Sequence, residues 1–198
     1  MEFFISIACG VLTGLISSFL VWWYLYCHLS PKIEFSKKIS KRPSKSRGCK
    51  FSYQFRLQNS RSRNAFNVQL KAQVVFPNFP AAGVRNLYPI PLDSDSWVYL
   101  PPGNDGRKGV FLELDNDDFR GIFRTKHFFP EDVKKNASDG TLFLEDVLGV
   151  TKNSHVRIRA IATHGTSTAM NVFCVQYALK DITESKFKKG SLEVENGN

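Results

Sequence analysis

The sequence predicts a mainly β protein with one membrane-spanning helix at its N-terminus. The run from Phe3 to Tyr26 contains no charged residue, and a helix of that length, at about 1.5 Å per residue, spans a hydrocarbon core of about 30 Å. Later stretches alternate apolar and polar side chains, which is the period of a half-buried strand. Phenylalanine is abundant, with 17 residues among 198, and aromatic side chains favour strands over helical bundles.

The N-terminal run predicts a retained transmembrane anchor over residues 1–30 rather than a cleaved signal peptide. Signal peptides begin with a positive segment and end at a pair of small residues. Here only Met1 and Glu2 precede the apolar run, and the run ends in aromatic rings that favour the headgroup level of a bilayer. This interfacial belt consists of Trp22, Trp23, Tyr24 and Tyr26.

Residues 31–50 are predicted to form a basic juxtamembrane segment. They contain eight basic residues against Glu34 alone, whereas the other flank of the span offers only Glu2. Because short flanks rich in Lys and Arg stay on the cytoplasmic side, we expect an external N-terminus and a cytoplasmic domain in the cell's inner (plasma) membrane. The basic collar that would attract anionic lipid headgroups comprises Lys37, Lys38, Lys41, Arg42, Lys45 and Arg47. The net charge of +9 falls to +3 for residues 51–198, so a nucleic-acid polymer is not the expected partner.

Small residues recur every fourth position along one side of the predicted span. They are Ser6, Gly10, Gly14 and Ser18, and such a ridge lets a second helix approach closely. We interpret the ridge as a packing surface that makes the protein a homo-oligomer. The alternative is that Gly and Ser are simply common in transmembrane helices.

Residues 51–182 are predicted to form one β-domain. Residues 51–57 and 66–76 alternate cleanly and are joined by a polar turn, so we expect them to pair as an antiparallel hairpin. A second hairpin is expected from residues 156–163 and 169–179. Further strands are expected at 88–92, 97–99 and 110–114, with an acidic turn at 115–118 and a short helix over 141–148 capped by Asp139.

Seven or eight short strands separated by turns are typical of an antiparallel β-sandwich, here of immunoglobulin-like type. A small β-barrel is the alternative. Residues 183–198 are mostly polar and are predicted to be a C-terminal tail.

The sequence offers no constellation of catalytic or metal-binding residues. The four histidines are scattered, and the chain has no His-x-x-x-His, Cys-x-x-Cys or nucleophile-elbow motif. It also lacks a glycine-rich phosphate loop. We therefore expect a protein that is not an enzyme and that uses neither a metal nor a cofactor.

Two arginine pairs offer a candidate anion-binding site. Arg61 and Arg63 flank a predicted turn, and Arg157 and Arg159 share one face of a predicted strand. If the fold brought the pairs together, their guanidinium groups would bind phosphate or an acidic lipid. The alternative is that both pairs are ordinary solvated charges.

The architecture resembles the small membrane effectors of bacterial anti-phage defence systems, in which a cytoplasmic domain senses a signal and the spans assemble to breach the membrane. The resemblance rests on the span with Gly10 and Gly14 and on the β-domain that follows it, and no motif within the domain carries it. It implies a domain that binds a ligand or partner and controls association of the spans. The alternative is a passive membrane-tethered scaffold that recruits a protein partner to the inner leaflet.

Overall fold

A computed structural model describes residues 2–44, 50–77, 86–126, 129–165 and 170–195 of the chain. The protein is mainly β-strands arranged in two sheets, preceded by one apolar helix, so the predicted class is confirmed at this level. The helices are α1 (Glu2–Leu29), α2 (Asp117–Thr125), α3 (Glu131–Ser138) and α4 (Leu144–Gly149). The strands are β1 (Ile33–Phe35), β2 (Ile39–Pro43), β3 (Phe51–Asn59), β4 (Ala65–Phe76), β5 (Asn86–Ile90), β6 (Ser96–Leu100), β7 (Lys108–Leu112), β8 (His155–His164), β9 (Met170–Ala178) and β10 (Ile182–Glu184).

The first sheet is built around β3. Strands β1 and β2 pair with one edge of β3 and β7 pairs with the other, all antiparallel. Strand β10 pairs with β2 in parallel, a pairing that the expectation of a purely antiparallel domain did not include. The side chains of Tyr53, Phe55 and Leu57 alternate along β3 and are almost completely buried.

The second sheet is built around β4. Strands β5 and β6 pair with successive halves of one edge, β8 pairs with the other edge, and β9 pairs with β8. The alternating residues Val68, Leu70, Ala72 and Val74 of β4 are buried and face the first sheet's apolar side chains within one core. At one side the sheets are linked by the Tyr177 hydroxyl, which donates a 2.6 Å hydrogen bond to the Ser36 carbonyl.

The expected hairpin between β3 and β4 is wrong, because these consecutive strands lie in different sheets. Alternation gives each strand an apolar face but does not determine which sheet the strand joins, since β4 and β8 also bury such faces while paired in one sheet. Placing the strands in opposite sheets lets their apolar faces bury each other. The second expected hairpin is confirmed, since β8 and β9 pair from His155 opposite Ala178 to Thr163 opposite Met170.

The segment 31–50, predicted to lie outside the β-domain, contributes β1 and β2 to the first sheet. The side chains of Ile33 and Ile39 are buried in the common core. The described β-domain therefore begins at β1. Ile33, Phe35 and Ile39 predict one short strand in this segment, and the structure forms two, β1 and β2.

Three helices between β7 and β8 cover one end of the sheets, and two of them were not expected. The acidic turn at 115–118 begins α2: the Asn116 side chain accepts hydrogen bonds from the backbone of Asp118 and Phe119. Phe119, Phe123 and Phe129 then form an aromatic cluster, with ring centroids 5.0 and 4.7 Å apart. The predicted cap was also misplaced, because Asp139 ends α3 and α4 begins only at Leu144.

The predicted polar tail packs on the domain over its described part. Strand β10 extends through Glu184, and Phe187 is buried and pairs with Val194. The Arg56 guanidinium lies 4.6 Å from the Phe187 ring centroid and donates to the carbonyls of Lys188 and Ser191. An aromatic anchor and an arginine from β3 thus hold a segment whose composition is otherwise that of a free terminus.

Candidate functional site

The junction between α1 and the β-domain fixes which end of the domain lies beside the helix. Only Ser30, Pro31 and Lys32 separate α1 from β1, and Pro31 is buried. The Lys32 carbonyl accepts a 2.9 Å hydrogen bond from the backbone of Ser60. The helix therefore leaves the domain next to the β3–β4 turn, residues 60–64, and we call this end of the sheets the helix-proximal end.

Strand β2 leads to the opposite, distal end of the domain. Strand β3 runs from Phe51 to Asn59, which is about 26 Å at 3.3 Å per residue. Strand β2 pairs alongside and carries the chain away from the helix, and Ser44 and Lys50 close the strand pair by a 2.9 Å hydrogen bond. Lys45 and Arg47 lie outside the described residues, but the loop that holds them leaves and rejoins the sheet at the distal end.

Lys41 is engaged inside the domain. Its side chain is only 13 % exposed, and its ammonium group forms ion pairs of 2.9 Å with Glu145 and 3.0 Å with Glu184. The same group lies 4.3 Å from the ring centroid of Phe51. Burial acts to lower the pKa of Lys41, but the two carboxylates outweigh it and raise that pKa above its ordinary value. Lys41 thus cannot serve as a free lipid contact.

The remaining described members of the collar differ in what they contact. Lys37 is exposed in the β1–β2 turn, and Lys38 beside it is half-buried. The Arg42 guanidinium donates a 3.2 Å hydrogen bond to the Ser40 hydroxyl. The four described members of the collar therefore do not form one continuous cationic surface.

A polar network beside Lys41 was not expected from the sequence. The Tyr53 hydroxyl donates a 2.5 Å hydrogen bond to the Glu145 carboxylate and accepts one from the Leu144 backbone. Burial, and then the neighbouring carboxylate, raise the pKa of Tyr53 above its ordinary value. Strand alternation identified Tyr53 as a core residue, but nothing near it in sequence indicates a partner on α4.

The two arginine pairs do not form one site. Arg157 and Arg159 lie on β8 and both donate to the Gln73 side-chain oxygen, at 3.2 and 2.9 Å. Gln73 pairs with Arg157, eight residues along β4 from the pairing of Ala65 with His164 at the helix-proximal end. That interval is about 26 Å, so Arg61 and Arg63 are well separated from the second pair.

Arg61 and Arg63 belong to a turn that the buried Asn59 holds in place. The Asn59 side chain donates to the carbonyls of Arg63, at 2.6 Å, and Leu100, at 3.3 Å, and accepts from the Arg61 backbone. The Asn59 carbonyl accepts from the backbone of Gly103. Asn59 therefore connects the β3–β4 turn to the end of β6 through its side chain and to the β6–β7 loop through its backbone.

A cleft of about 370 Å³ opens beside this turn. Arg63, Asn64 and Ser62 line one side, and Phe66, His164 and Gly165 line the other. A Cβ atom at Gly165 would lie 2.6 Å from the Phe66 ring, so glycine permits the close approach of the β8 end to that ring. The cleft thus combines a guanidinium with an aromatic wall, a combination suited to an anionic group attached to an apolar body.

Exposed apolar side chains lie next to this cleft on the outer face of the second sheet. Strand pairing aligns Met170, Thr163, Phe66 and Tyr99 across four neighbouring strands. Met170 is 65 % exposed and Tyr99 is 55 % exposed. Val172, which is 61 % exposed, lies two residues along β9 from Met170, and Val98, which is 78 % exposed, directly precedes Tyr99 on β6. We call these four exposed side chains the apolar row.

The helix α1 presents the predicted packing ridge to solvent. The segment Phe3–Tyr24 is long and apolar enough to cross a membrane, and all of its side chains are exposed. A Cβ atom added at Gly10 or Gly14 would meet no atom within 4 Å. Trp22, Trp23 and Tyr24 are exposed near the helix end, whereas the Tyr26 side chain lies outside the described part of the structure. The ridge positions Ser6 and Ser18 are exposed as well.

No family model matches this chain, and no curated protein matches it significantly. Among the described residues, no three His, Cys, Asp or Glu side chains lie close enough together to hold a metal ion. The candidate site is therefore defined by geometry and charge at the helix-proximal end.

Proposed function

We propose that this chain is a single-pass membrane protein whose β-domain binds a ligand or partner and thereby controls self-association of the span. The observation that carries the proposal is α1, a helix of 28 residues whose apolar segment is entirely exposed. An uncovered apolar surface of this length needs a hydrocarbon phase or other apolar helices around it. The helix also connects to the β-domain through only three residues, so events in the domain act directly on the span.

The charge flanking the span supports an external N-terminus and a cytoplasmic β-domain. The membrane-insertion machinery responds to basic residues within about 15–20 positions of the span before the domain has folded. Lys32, Lys37 and Lys38 therefore favour cytoplasmic retention even though the fold later separates other basic residues from the helix. Cys174 is a free, exposed thiol, in keeping with a reducing compartment such as the cytoplasm.

The strand pairings favour an immunoglobulin-like sandwich for the β-domain. In that fold the second strand pairs with the first and fifth, and the third pairs with the sixth, which pairs with the seventh. Here β3 pairs with β1 and β7, while β4 pairs with β8, which pairs with β9. Under this assignment α2, α3 and α4 are an insertion between the fifth and sixth strands. Such sandwiches present loops and edges suited to binding partners.

Self-association through the ridge is tested with the intact chain in detergent. We expect chemical crosslinking and the mass from light scattering to show oligomers for the natural sequence and a loss of oligomers for G10I/G14I. Because a Cβ atom at either glycine meets nothing in the single chain, the change leaves the helix itself unstrained. The larger isoleucine side chains would therefore obstruct only a second helix that packs against the ridge.

The matched control is L12F/I16F, which adds bulk on the opposite side of the helix. Oligomers that persist in G10I/G14I, or that disappear equally in the control, would rule out the ridge. If the spans also breach the membrane, as the resemblance to defence effectors implies, overexpression of the natural sequence should be toxic. That toxicity should be lost with Gly10→Ile.

A passive scaffold is the second candidate, and the outer edge of β9 favours it. Within the described residues, β9 pairs with β8 alone. A cleft of about 480 Å³ lies between β1 and β9, lined in part by Phe35, Cys174 and Leu192. An open edge of this kind accepts an extended segment from a partner protein. A non-toxic chain that co-purifies with one stable partner would support this alternative.

A further inference from the structure

We propose that the helix-proximal end of the β-domain is a lipid-docking surface that lies against an anionic bilayer leaflet. The inference rests on the proposed function, since it requires α1 to span a membrane. It assigns the lipid contact to Arg61, Arg63 and the apolar row, rather than to the basic segment 31–50.

The length of the junction brings this end of the domain to the bilayer. The apolar segment of α1 ends at Tyr24, and the helix continues to Leu29, a further rise of about 7.5 Å. The headgroup layer of one leaflet is about 5–7 Å thick, so α1 ends at its outer limit. Three more residues, about 10 Å when fully extended, lead to Ile33, and the last of them is bonded to the β3–β4 turn.

The charge at the helix-proximal end complements an anionic surface. The junction, the β3–β4 turn and the β6–β7 loop contain four basic residues and one acidic residue, Asp105, and Glu34 follows the junction in β1. Glu34 is already paired with Lys32 at 2.7 Å. Within the described residues Arg61 and Arg63 form no ion pair, and the buried Nε of Arg61 has no hydrogen-bond partner. Neither guanidinium group is therefore neutralised by a carboxylate, and Arg63 is exposed.

The apolar row supplies the second component of a lipid contact. Peripheral membrane surfaces combine cationic groups with apolar side chains that enter the boundary between headgroups and acyl chains. Tyr99 is aligned with Phe66, which lines the cleft beside Arg63. A lipid phosphate bound by Arg63 would therefore place its glycerol and upper acyl portion along Phe66 and Tyr99. Aromatic and cationic side chains alternate at such interfaces for this reason.

The test places an environment-sensitive fluorophore in the apolar row of the full chain. The four cysteines are replaced by serine, and a single cysteine is introduced by Val98→Cys for labelling. A second labelled chain carries Lys135→Cys on α3, an exposed position on the helices that cover the distal end. Both chains are reconstituted into phosphatidylcholine vesicles with and without phosphatidylserine, some of which carry a headgroup nitroxide quencher.

We expect a blue shift and quenching at position 98, stronger with phosphatidylserine, and neither at position 135. R61Q/R63Q should reduce the docked fraction at least about fivefold in the anionic vesicles. The control R157Q/R159Q removes the same charge about 20–26 Å away along β4 and should leave the docked fraction unchanged.

Four results would overturn the proposal. If the probe at position 98 stays exposed to solvent while the chain resists alkaline carbonate extraction, the docking surface is ruled out and the membrane span is retained. If alkaline carbonate extracts the protein from the vesicles, both the membrane span and the docking surface are ruled out. If R61Q/R63Q and R157Q/R159Q lower the docked fraction equally, the domain is held by general charge attraction rather than by Arg61 and Arg63. Shielding that depends on protein concentration rather than on lipid indicates that a second copy of the chain covers the row.

Discussion

The two ends of the β-domain differ in how they use charged and aromatic side chains. At the distal end three helices close the sheets, aromatic rings pack together, and Lys41 is neutralised by Glu145 and Glu184. At the helix-proximal end the rings of Phe66 and Tyr99 line a surface, and Arg61 and Arg63 lack carboxylate partners within the described residues. The same residue types therefore stabilise one end and leave the other available for binding.

The largest expected effect is the loss of an aromatic ring from the distal end. Phe123 is completely buried between Phe119 and Phe129, and Phe123→Ala should lower the free energy of unfolding by about 3–5 kcal/mol. The matched change at the other end, Val98→Ala, should alter it by less than about 0.5 kcal/mol. Denaturant unfolding of the intact chain in detergent, followed by near-ultraviolet circular dichroism, measures both. Similar losses from the two variants would contradict the comparison.

An intermediate effect is expected from Lys41→Met, which keeps the aliphatic stem over Phe51 but removes the charge. The half-buried Glu145 carboxylate would then lose its ammonium partner and remain beside the exposed Glu184, at a loss of about 1–3 kcal/mol. The control Lys37→Met changes an exposed member of the predicted collar and should be nearly neutral. Equal unfolding midpoints for the two variants would show that the Lys41 ion pairs contribute nothing.

The smallest expected effect concerns the exposed ion pair at the helix-proximal end. The Lys32 ammonium lowers the pKa of Glu34 below its ordinary value near 4.5, against a smaller opposing effect of burial. The contribution of the Lys32–Glu34 pair to the free energy of unfolding is therefore present above pH 4.5, and it is lost as the pH falls through the lowered pKa of Glu34. Because both side chains are well solvated, the change should be less than about 1 kcal/mol.

Unfolding midpoints of the natural chain and of Glu34→Gln, compared at pH 6 and pH 3, measure this contribution. The natural chain should lose slightly more stability on acidification than the variant. An equal or larger acid sensitivity in Glu34→Gln would show that the Lys32–Glu34 pair does not stabilise the folded state.

The contrast between the ends explains why the predicted collar did not become one surface. Residues close in sequence to the span were expected to lie close to it in space, but β2 carries Lys41 and Arg42 toward the distal end. The arginines that do lie beside the helix junction come from the β3–β4 turn, about thirty residues beyond the end of α1. Strand β2 places residues that are close to the span in sequence far from it in space. Strand β3 then returns the chain to the helix-proximal end, where the β3–β4 turn begins.

Local patterns determined much of the architecture by themselves. The uncharged apolar run, longer than a bilayer is thick, predicted the long helix α1. Alternation identified β3, β4 and β8 with most of their buried positions, although Phe66 in the β4 pattern is only half-buried. The helices α2 and α3 were signalled less clearly, because the first turn of α2 reads equally well as an acidic loop.

Only the tertiary structure decided which sheet each strand joins and which carboxylates pair with Lys41. It also decided that Arg61 and Arg63 lie apart from Arg157 and Arg159. These outcomes depend on the burial of apolar faces that are distant in sequence, and burial is a property of the whole core rather than of any one segment. The sequence by itself determined that the protein has an apolar helix, a β-domain and many cationic side chains. The packing of two sheets against each other determined which of those cations face the helix end.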